Sequence, residues 1–342
     1  MPPIFQGTLP LPRPFSLGLT LLCGQCFRWD KAQEEGWFQG VAGGAYWRLR
    51  QEGNSLHWEC SSGTLRGKTA ADWLSNYLSL DEDLGQLAQA YGGHPVMGEP
   101  LRALPGLRLL RQEPWECSIS YMFAQGLSVK VIRQALRKFC VEYGAAISGV
   151  PGAYGFPEPG DLAGLSADFL RPFTNNYRDR ADRIIRIARA VQARVISLDH
   201  LKGISCDEAR EALMALDGIG PKIADCILLF SLDHVSAFPV DRWVLRAMKK
   251  YFRSVRFLGP GEEAPTRTQY LRIVQKARSA FGDRCGILSE YLFLYLRLLE
   301  DAKLREELEP YCRLSAPPAP PVSKGRSPKS PKNIAFRAGK AL

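Results

Sequence analysis

The stretch from residue 208 to residue 251 constrains the fold of this chain more than any other. The spacing of its apolar residues predicts three helices, at 208–216, 222–230 and 242–251. Asp207 precedes the first helix at the position where an N-cap residue is expected. Because glycine and proline break the pattern between the first two helices, the stretch predicts a helix, a tight turn, a second helix, a loop and a third helix.

The turn between the first two helices has the sequence Asp-Gly-Ile-Gly-Pro, at residues 217–221. We expect Gly218 and Gly220 to adopt backbone angles that a β-carbon disfavours. We expect Pro221 to take the first position of the second helix. Such a turn directs backbone N–H groups and a helix N-terminus outward, which creates an anion site. A DNA phosphate is the anion that we expect Gly218 and Gly220 to bind.

Two reactive side chains accompany this turn. Lys222 lies just beyond it, and Asp241 stands at the N-cap position before the third helix. A lysine amine beside a phosphate-binding turn is a candidate nucleophile, and a nearby carboxylate is a candidate for stabilising positive charge on a sugar. Taken alone, each residue is also explained as a surface lysine or an ordinary helix cap. The prediction therefore depends on the whole pattern.

The sequence LDGIGPKIADCI, followed by FPVD, resembles the helix-hairpin-helix DNA glycosylases. Within them it is most similar to the 8-oxoguanine DNA glycosylases, which carry lysine at this position. The resemblance covers roughly residues 15–312, and it implies that Lys222 and Asp241 are catalytic. Trp243 stands where the eukaryotic-type enzymes tend to have histidine. This difference favours a bacterial-type variant in which Trp243 belongs to a differently built 5′-phosphate contact.

A second motif, Cys-Gly-Gln-Cys-Phe-Arg-Trp at residues 23–29, is similar to the G-Q-[SC]-F-R-W signature of the same family. In that family the glycine carbonyl accepts a hydrogen bond from N7–H of 8-oxoguanine, a proton that guanine lacks. The resemblance assigns this role to Gly24. Without residues 208–251, which we call the hairpin, the motif would be explained as a bulged turn that packs two aromatic side chains.

Three further residues complete the base pocket that the resemblance implies. Phe293 matches the phenylalanine that stacks on the extruded base, and Cys226 matches the residue on the other face of the base. Ser289 stands where a glutamine usually bonds the Watson–Crick edge. We therefore expect base recognition there to be weaker or to use other groups. Phe293 and Cys226 are also explained as ordinary core residues.

Three residues are expected at the gap that an extruded base leaves in the duplex. Gln125 lies in Ala-Gln-Gly-Leu-Ser, where the 8-oxoguanine enzymes usually have asparagines. It either occupies this gap and contacts the orphaned base, or it ends a helix without a ligand role. Tyr177 and Arg178 match the family pattern G-[YF]-R-x-R-A, which implies that Tyr177 inserts beside the gap and Arg178 contacts the opposite base. An inserted side chain offsets part of the cost of unstacking.

The fold class that these segments predict is α+β. Residues 1–110 are expected to form a β-rich subdomain with flanking helices, whose antiparallel sheet is TBP-like by resemblance. Residues 111–314 are expected to form the helical catalytic domain, and residues 315–342, with six basic and no acidic residues, are expected to form a disordered tail. The expected strands are 15–22, 25–29, 36–42, 45–51 and 55–60.

Composition bounds the partners and the cofactors. The 342-residue chain has a net charge of +10, which favours a polyanionic partner. It shows neither an apolar run of about 18 residues nor a secretion signal. We therefore expect an intracellular protein without membrane contact, cytoplasmic and nucleoid-associated if the bacterial resemblance holds.

The nine cysteines predict no metal centre. The C-x-x-C formed by Cys23 and Cys26 has no second pair to complete a zinc site. Only Cys285 and Cys312 follow the hairpin, which is too few thiolates for the iron–sulfur cluster of some relatives. We therefore expect no metal and no cofactor.

The function that the resemblance implies is base-excision repair of double-stranded DNA by a monomer. Lys222 would attack C1′ of an extruded 8-oxoguanine nucleotide, expel the base and form a Schiff base, and β-elimination would then nick the strand. Two alternatives stay open. Gln125 and Ser289 favour a monofunctional alkylpurine glycosylase, and the hairpin alone would suit a non-catalytic DNA-binding module.

Overall fold

An antiparallel sheet of five strands forms the N-terminal part of the protein. The computed structural model describes residues 4–174, 179–252, 256–259 and 262–314. The strands are β1 (Phe5–Pro10), β2 (Trp29–Lys31), β3 (Trp37–Ala42), β4 (Ala45–Glu52) and β5 (Ser55–Cys60), in the spatial order β1-β5-β4-β3-β2. A short ribbon follows, made of β6 (Thr64–Leu65) and β7 (Lys68–Thr69).

Helices make up most of the remaining described chain. They are α1 (Leu17–Leu22), α2 (Ala70–Tyr77), α3 (Leu84–Tyr91), α4 (Gly98–Ala103), α5 (Pro114–Phe123), α6 (Val129–Tyr143), α7 (Pro159–Ala163), α8 (Ala167–Leu170), α9 (Arg180–Gln192), α10 (Cys206–Met214), α11 (Pro221–Ser231), α12 (Arg242–Tyr251), α13 (Arg267–Phe281), α14 (Cys285–Glu300) and α15 (Ala302–Leu308). Short 3₁₀ turns lie at Arg171–Phe173, Asp199–Gly203, Gly282–Arg284 and Glu309–Tyr311. The predicted α+β class, with a sheet followed by a helical domain, is confirmed.

The sheet packs its aromatic face against α2. Successive side chains of a strand point to opposite faces, and β4 and β5 alternate between buried and partly exposed residues accordingly. Trp47 of β4 stacks on Trp73 of α2 with ring centroids 5.5 Å apart, and Trp73 stacks on Tyr77 at 4.9 Å. Trp29 donates its indole N–H to the Tyr77 hydroxyl at 2.9 Å. These contacts anchor the C-terminal end of the 23–29 motif.

Some local expectations were wrong. Residues 17–22 form a helix rather than a strand, with the Ser16 hydroxyl accepting the Leu19 N–H at 3.4 Å. All six residues of α1 are buried. Because no position faces solvent, the sequence shows neither the helical nor the strand period, and the two structures cannot be distinguished from it. The sequence analysis also did not predict β1. The N-cap residue of α10 is Ser205 rather than Asp207, and Ser205 forms a reciprocal capping box with Glu208.

Gln25 joins the sheet region to the helical domain. It is buried, and its side-chain amide bonds three backbone groups at 2.8–2.9 Å, namely the carbonyls of Thr20 and Arg108 and the N–H of Leu110. The backbone carbonyl of Gln25 accepts hydrogen bonds from Gln112 Nε2 at 2.8 Å and from the Tyr121 hydroxyl at 3.0 Å. A buried polar group that makes all its bonds fixes its surroundings. The loop that contains Gly24 is therefore held rigidly against α5.

Two further properties concern only the described residues. Within them, no helix combines the length and the apolar character that crossing a lipid bilayer requires. Across the same part of the chain, His, Cys, Asp and Glu side chains nowhere gather in threes or more in a way that would hold a metal ion.

Candidate active site

The hairpin places a helix N-terminus beside a glycine with a positive φ angle. Gly218 has a φ of +95°, and a β-carbon there would lie 2.7 Å from the Arg183 side chain. Pro221 occupies the first turn of α11, as predicted. The expectation for Gly220 was wrong, because its φ of −85° suits any residue. No other heavy atom lies within 4 Å of where its β-carbon would be, among the described residues. Gly220 therefore leaves the start of α11 open to approach by a ligand.

Lys222 lies in the first turn of α11, on the side that faces α5. Its Nζ is 5.4 Å from the centroid of the Tyr121 ring, a cation–π contact. The Tyr121 ring stacks on Phe230 with centroids 5.6 Å apart, and its hydroxyl bonds the Gln25 carbonyl. Tyr121 therefore forms a fixed surface beneath the amine and links it to the loop that contains Gly24.

Asp241 is the N-cap residue of α12, as predicted. Its Oδ1 accepts the N–H groups of Trp243 at 2.9 Å and Val244 at 2.8 Å. Both bonds use the same oxygen, so they leave the lone pairs of Oδ2 for another partner. Burial raises the pKa of Asp241, while the Val244 N–H and the Lys222 charge oppose the increase. The carboxylate is thus close enough to Lys222 for the two charges to interact.

A buried network beneath the hairpin holds both of these elements. Arg210 of α10 donates its Nε–H to Asp225 of α11 at 2.6 Å. The Tyr270 hydroxyl of α13 donates to the other Asp225 oxygen at 2.8 Å and accepts the Val240 N–H at 3.1 Å. Because Val240 directly precedes Asp241, one network fixes α11, which carries Lys222, and the backbone that presents the carboxylate.

The Gly24 loop approaches from the sheet side. Gly24 has a φ of +107°, and a β-carbon there would lie 3.1 Å from a guanidinium nitrogen of Arg297. Arg297 donates to the carbonyl of Cys23 at 3.1 Å, and its guanidinium lies 5.2 Å from the centroid of the Phe293 ring. A side chain at Gly24 would therefore be strained by its backbone angle and would displace Arg297, and the loop is tied to α14.

The predicted residues converge on one cavity of about 700 Å³. Those that line it are Gly24, Gln125, Lys222, Cys226, Asp241, Trp243, Ser289 and Phe293. Gly218 and Gly220 lie in the adjacent hairpin, outside this lining. Tyr177 and Arg178 fall outside the described residues.

The three side chains that were predicted to form the base pocket differ in their surroundings. Cys226 is buried, and burial raises the pKa of its thiol to about 12, so the thiol is neutral. Ser289 is also buried, and its hydroxyl donates to the Gly286 carbonyl at 2.7 Å within its own helix. Phe293 remains partly exposed, as a stacking residue requires.

Gln125 and Trp243 line the rim of the cavity. Gln125 follows α5 and donates its Nε2–H to the Gly218 carbonyl at 2.9 Å, so it joins the α5 end to the hairpin. Trp243 lies between two guanidinium groups, those of Arg242 at 5.1 Å and Arg246 at 5.2 Å from its ring. A cationic rim of this kind suits a phosphate backbone.

Comparison with known proteins agrees with this arrangement. Residues 8–117 match the model for the 8-oxoguanine DNA glycosylase N-terminal domain, and residues 119–264 match the HhH-GPD superfamily of base-excision DNA repair proteins. The N-glycosylase/DNA lyase OGG1 of Arabidopsis thaliana is 30% identical over 289 residues, which span 82% of this chain and 76% of that protein. The chain belongs to the 8-oxoguanine DNA glycosylase family.

Solved structures of this family share the fold. MBOgg1, in a complex with a low-affinity DNA ligand, superimposes with a TM-score of 0.72 at 28% identity, covering 85% of this chain and 95% of that one. The Clostridium acetobutylicum 8-oxoguanine glycosylase/lyase, bound to double-stranded DNA with cytosine opposite 8-oxoG, gives a TM-score of 0.71 at 26% identity. That match covers 83% of this chain and 92% of that one.

In this member of the family, several residues that line the cavity escaped the sequence analysis, and three of them interact with the predicted ones. Tyr121, Glu290 and Arg297 all line it. In the sequence, Tyr121 cannot be distinguished from the other apolar residues of a buried helix, and no neighbouring residue indicates its contact with Lys222. Glu290 and Arg297 did carry a signal, because they are charged residues at helical spacing from Phe293 in an otherwise apolar helix.

Proposed function

We propose that this chain removes 8-oxoguanine from double-stranded DNA and then cleaves the strand as an AP lyase. The observation that carries the proposal is the convergence of Gly24, Lys222, Asp241 and Phe293, from three separate stretches, on one cavity. Its volume of about 700 Å³ lies in the range of small-molecule sites. Because an enzyme that acts on a base must first extrude it, the damaged base is the part of the DNA that enters.

Lys222 supplies the nucleophile in this proposal. The lone pair of its Nζ attacks C1′ of the damaged nucleotide as the bond from C1′ to N9 breaks, and the base leaves with the bonding electrons and takes up a proton. Asp241 stabilises the positive charge that develops on the sugar. Ring opening gives a Schiff base, and loss of a C2′ proton then breaks the C3′–O bond, which nicks the strand on the 3′ side. Water releases Lys222 from the product.

Base recognition combines one backbone acceptor with two contact faces. The Gly24 carbonyl accepts N7–H, which 8-oxoguanine has and guanine lacks. Phe293 stacks on one face of the base. The neutral thiol of Cys226 contacts the other face. Ser289 contributes little, since its hydroxyl proton is already bonded within α14.

The duplex contacts lie around the mouth of the cavity. The N–H groups near Gly218 and Gly220 bind a phosphate, and Trp243 with its flanking arginines contacts the backbone 5′ to the lesion. Gln125 contacts the gap, and the resemblance adds Tyr177 and Arg178, which lie outside the described residues, as contacts to the gap and the opposite base. We further propose that the protein acts as a monomer, and that it works in the bacterial cytoplasm in association with the nucleoid.

Borohydride trapping tests the nucleophile. Reduction of the Schiff base should yield a covalent complex with 8-oxoguanine duplex DNA, and Lys222→Gln should abolish it. Lys249→Gln, which changes an exposed lysine of α12, is the matched control and should trap normally. An unchanged yield of complex in Lys222→Gln would remove Lys222 from this role.

Substrate choice separates the proposal from the alkylpurine alternative that Gln125 and Ser289 favour. Duplexes that contain 8-oxoguanine, hypoxanthine or 3-methyladenine should be compared under single-turnover conditions. We expect excision and strand nicking with 8-oxoguanine. Excision of 3-methyladenine without nicking would instead support a monofunctional alkylpurine glycosylase.

A further inference from the structure

A buried carboxyl group in the cavity has no role in the reaction described above. Glu290 of α14 is 4% exposed and lines the cavity together with Gly24, Lys222 and Phe293. Its Oε1 is buried and has no hydrogen-bond partner among the described residues. A buried acceptor without a hydrogen-bond donor is unfavourable. A group of this kind, in a residue that lines a ligand cavity, can accept a hydrogen bond from a bound ligand.

The helix presents Glu290 on the same face as the residues that hold the base. Residues three and seven positions apart share a helix face, which aligns Glu290 with Phe293 and Arg297. Arg297 bonds the Cys23 carbonyl beside Gly24, and its guanidinium contacts the Phe293 ring. The free carboxyl oxygen therefore belongs to the same wall as the stacking ring and lies near the loop that contains Gly24.

The neighbouring residue Ser289 is not equipped for this position. Its hydroxyl donates to Gly286 at 2.7 Å, and its short side chain is turned about 100° around the helix from Glu290. Ser289 therefore cannot replace a long acceptor in the cavity, whereas Glu290 has both the reach and an unused oxygen.

The chemistry of a guanine-type base fits a carboxylate. Its Watson–Crick edge presents two adjacent donors, N1–H and one hydrogen of the 2-amino group. An ionised carboxylate is an acceptor with two oxygens, which matches a pair of parallel N–H groups. An adenine-type base presents a lone pair at N1 instead, and a carboxylate repels it.

We propose that Glu290 recognises the Watson–Crick edge of the extruded base by accepting N1–H and the 2-amino N–H. This inference rests on the proposed function and adds the group that selects a guanine-type base, whereas the Gly24 carbonyl selects the oxidised form. The two acceptors read opposite edges of the same purine.

The charges around Glu290 are consistent with this role. Burial raises its pKa to about 7, while a hydrogen bond with the Cys23 thiol and the charge of Arg297 lower it. The charge of Asp241 raises the pKa further, and that of Lys222 lowers it. Two donors from the base would also favour the ionised form. The carboxylate is therefore available to the base at slightly alkaline pH.

The test compares two lesions that differ only in the 2-amino group. Full-length protein is assayed at pH 8 on duplexes containing 8-oxoguanine or 8-oxohypoxanthine, each opposite cytosine, and the ratio of kcat/KM for the two is measured. We expect the wild-type protein to prefer 8-oxoguanine by about 10- to 100-fold, the loss for a buried acceptor left unpaired. Glu290→Ala should bring this ratio to within about threefold of one.

Two further variants complete the design. Glu290→Gln preserves the shape of the side chain and keeps one acceptor oxygen, so its ratio should fall between those of the wild type and Glu290→Ala. Glu113→Ala is the matched control, because burial also raises the pKa of Glu113 to about 7 but this residue lies outside the cavity. Its ratio should equal that of the wild type.

The outcomes separate the two proposals. A wild-type preference that persists in Glu290→Ala would overturn the role of Glu290 alone. Equal loss of rate on both lesions, with the ratio unchanged, would also overturn it and would indicate a role toward Lys222. Failure of the wild-type protein to excise either lesion would overturn the proposed function and this inference together.

Discussion

Asp241 caps α12 and, in the proposed reaction, also stabilises positive charge on the sugar, and a single substitution separates the two roles. Asparagine is about as good an N-cap as aspartate, so Asp241→Asn should keep α12 capped while it removes the negative charge. We expect the excision rate at saturating DNA to fall by at least about 100-fold, the scale for losing one group that stabilises a charged transition state. Binding to uncleavable duplex DNA should change by less than about threefold. If binding fell in proportion to the rate, Asp241 would be only a structural cap.

Gly24 should tolerate no side chain. Its φ of +107° disfavours an L-residue by about 1–2 kcal/mol, and a β-carbon would meet Arg297 at 3.1 Å. We expect Gly24→Ala to move the loop and reduce the preference for 8-oxoguanine over guanine. Gly44→Ala is the control, because Gly44 also has a positive φ, of +79°, yet no neighbouring atom lies within 4 Å among the described residues. It should cost similar stability, measured by urea unfolding, and leave the preference intact.

Glu290 should make the protein less stable as pH rises. Its pKa is raised from the ordinary 4.5 to about 7 in the folded state, chiefly by burial. A group of this kind stabilises the fold below pH 4.5, and that contribution is lost as pH rises through 7. The loss is of the order of 3 kcal/mol. The charged and titratable groups that act on it are Cys23, Lys222, Asp241 and Arg297.

Urea unfolding at pH 5 and pH 8 tests whether the stability of the protein falls as pH rises. The free energy of unfolding of the wild type should decrease between the two pH values, and Glu290→Gln should reduce the decrease. Glu113 contributes a change of the same sign, so Glu290→Gln removes only part of it. Identical pH dependence in wild type and Glu290→Gln would contradict the assignment.

Single residues were predictable from sequence where their function is local. Asp241 and Pro221 sit at helix ends whose chemistry is set by a few neighbours, and both lie where the pattern predicted. Glu290 was missed because a glutamate in a helix is usually exposed. Its burial depends on Cys23 and Arg297, and only the folded chain brings Cys23 to it.

Among the elements, the hairpin depends on Tyr270, which lies outside it. The Tyr270 hydroxyl joins Asp225 of α11 to the Val240 N–H before Asp241. Tyr270→Phe should lower the free energy of unfolding by about 1–3 kcal/mol, because it leaves buried polar groups unpaired. It should also slow excision at saturating DNA, since the backbone that presents the carboxylate loses a support.

Tyr291→Phe is the matched control for this prediction. Tyr291 is also buried, and its hydroxyl donates to the Leu107 carbonyl at 2.7 Å, away from the hairpin. We expect a similar loss of stability without the loss of rate. Equal rates for the two variants would show that the Tyr270 hydroxyl supports the fold but not the reaction.

Elements differ in how far sequence determines them. The hairpin was predictable because glycine and proline mark its turn and α10 and α11 each have a clear period. Residues 17–22 were assigned wrongly because a short run that is apolar on every side fits a strand or a helix equally. The deciding interactions are the Ser16 cap and burial on all sides, and burial is a property of the tertiary structure.

At the scale of the whole molecule, the site exists only because the sheet region meets two separate parts of the helical domain. Gly24 comes from the sheet region, Lys222 and Asp241 come from the hairpin, and Phe293 comes from α14. Gln25 makes the connection through bonds to residues more than 80 positions away. Sequence spacing carries no information about such contacts. The family resemblance, rather than periodicity, was therefore needed to group these residues.

The C-terminal segment should act on affinity rather than on chemistry. Residues 315–342 contribute six basic and no acidic residues to a chain with a net charge of +10. Each phosphate contact adds about 0.9 to the slope of log affinity against log salt concentration. A chain truncated after Leu314 should therefore bind duplex DNA more weakly at low salt and show a shallower slope, by up to about five.

The same truncated chain should excise bound 8-oxoguanine at the wild-type single-turnover rate, because the described residues that line the cavity all precede the cut. Fluorescence anisotropy from 50 to 300 mM salt, about the range over which such contacts weaken, measures the binding. Identical slopes for the two proteins would show that these six charges do not contact DNA. A slower single-turnover rate with unchanged slope would place the segment near the site instead, and would make its contribution specific rather than electrostatic.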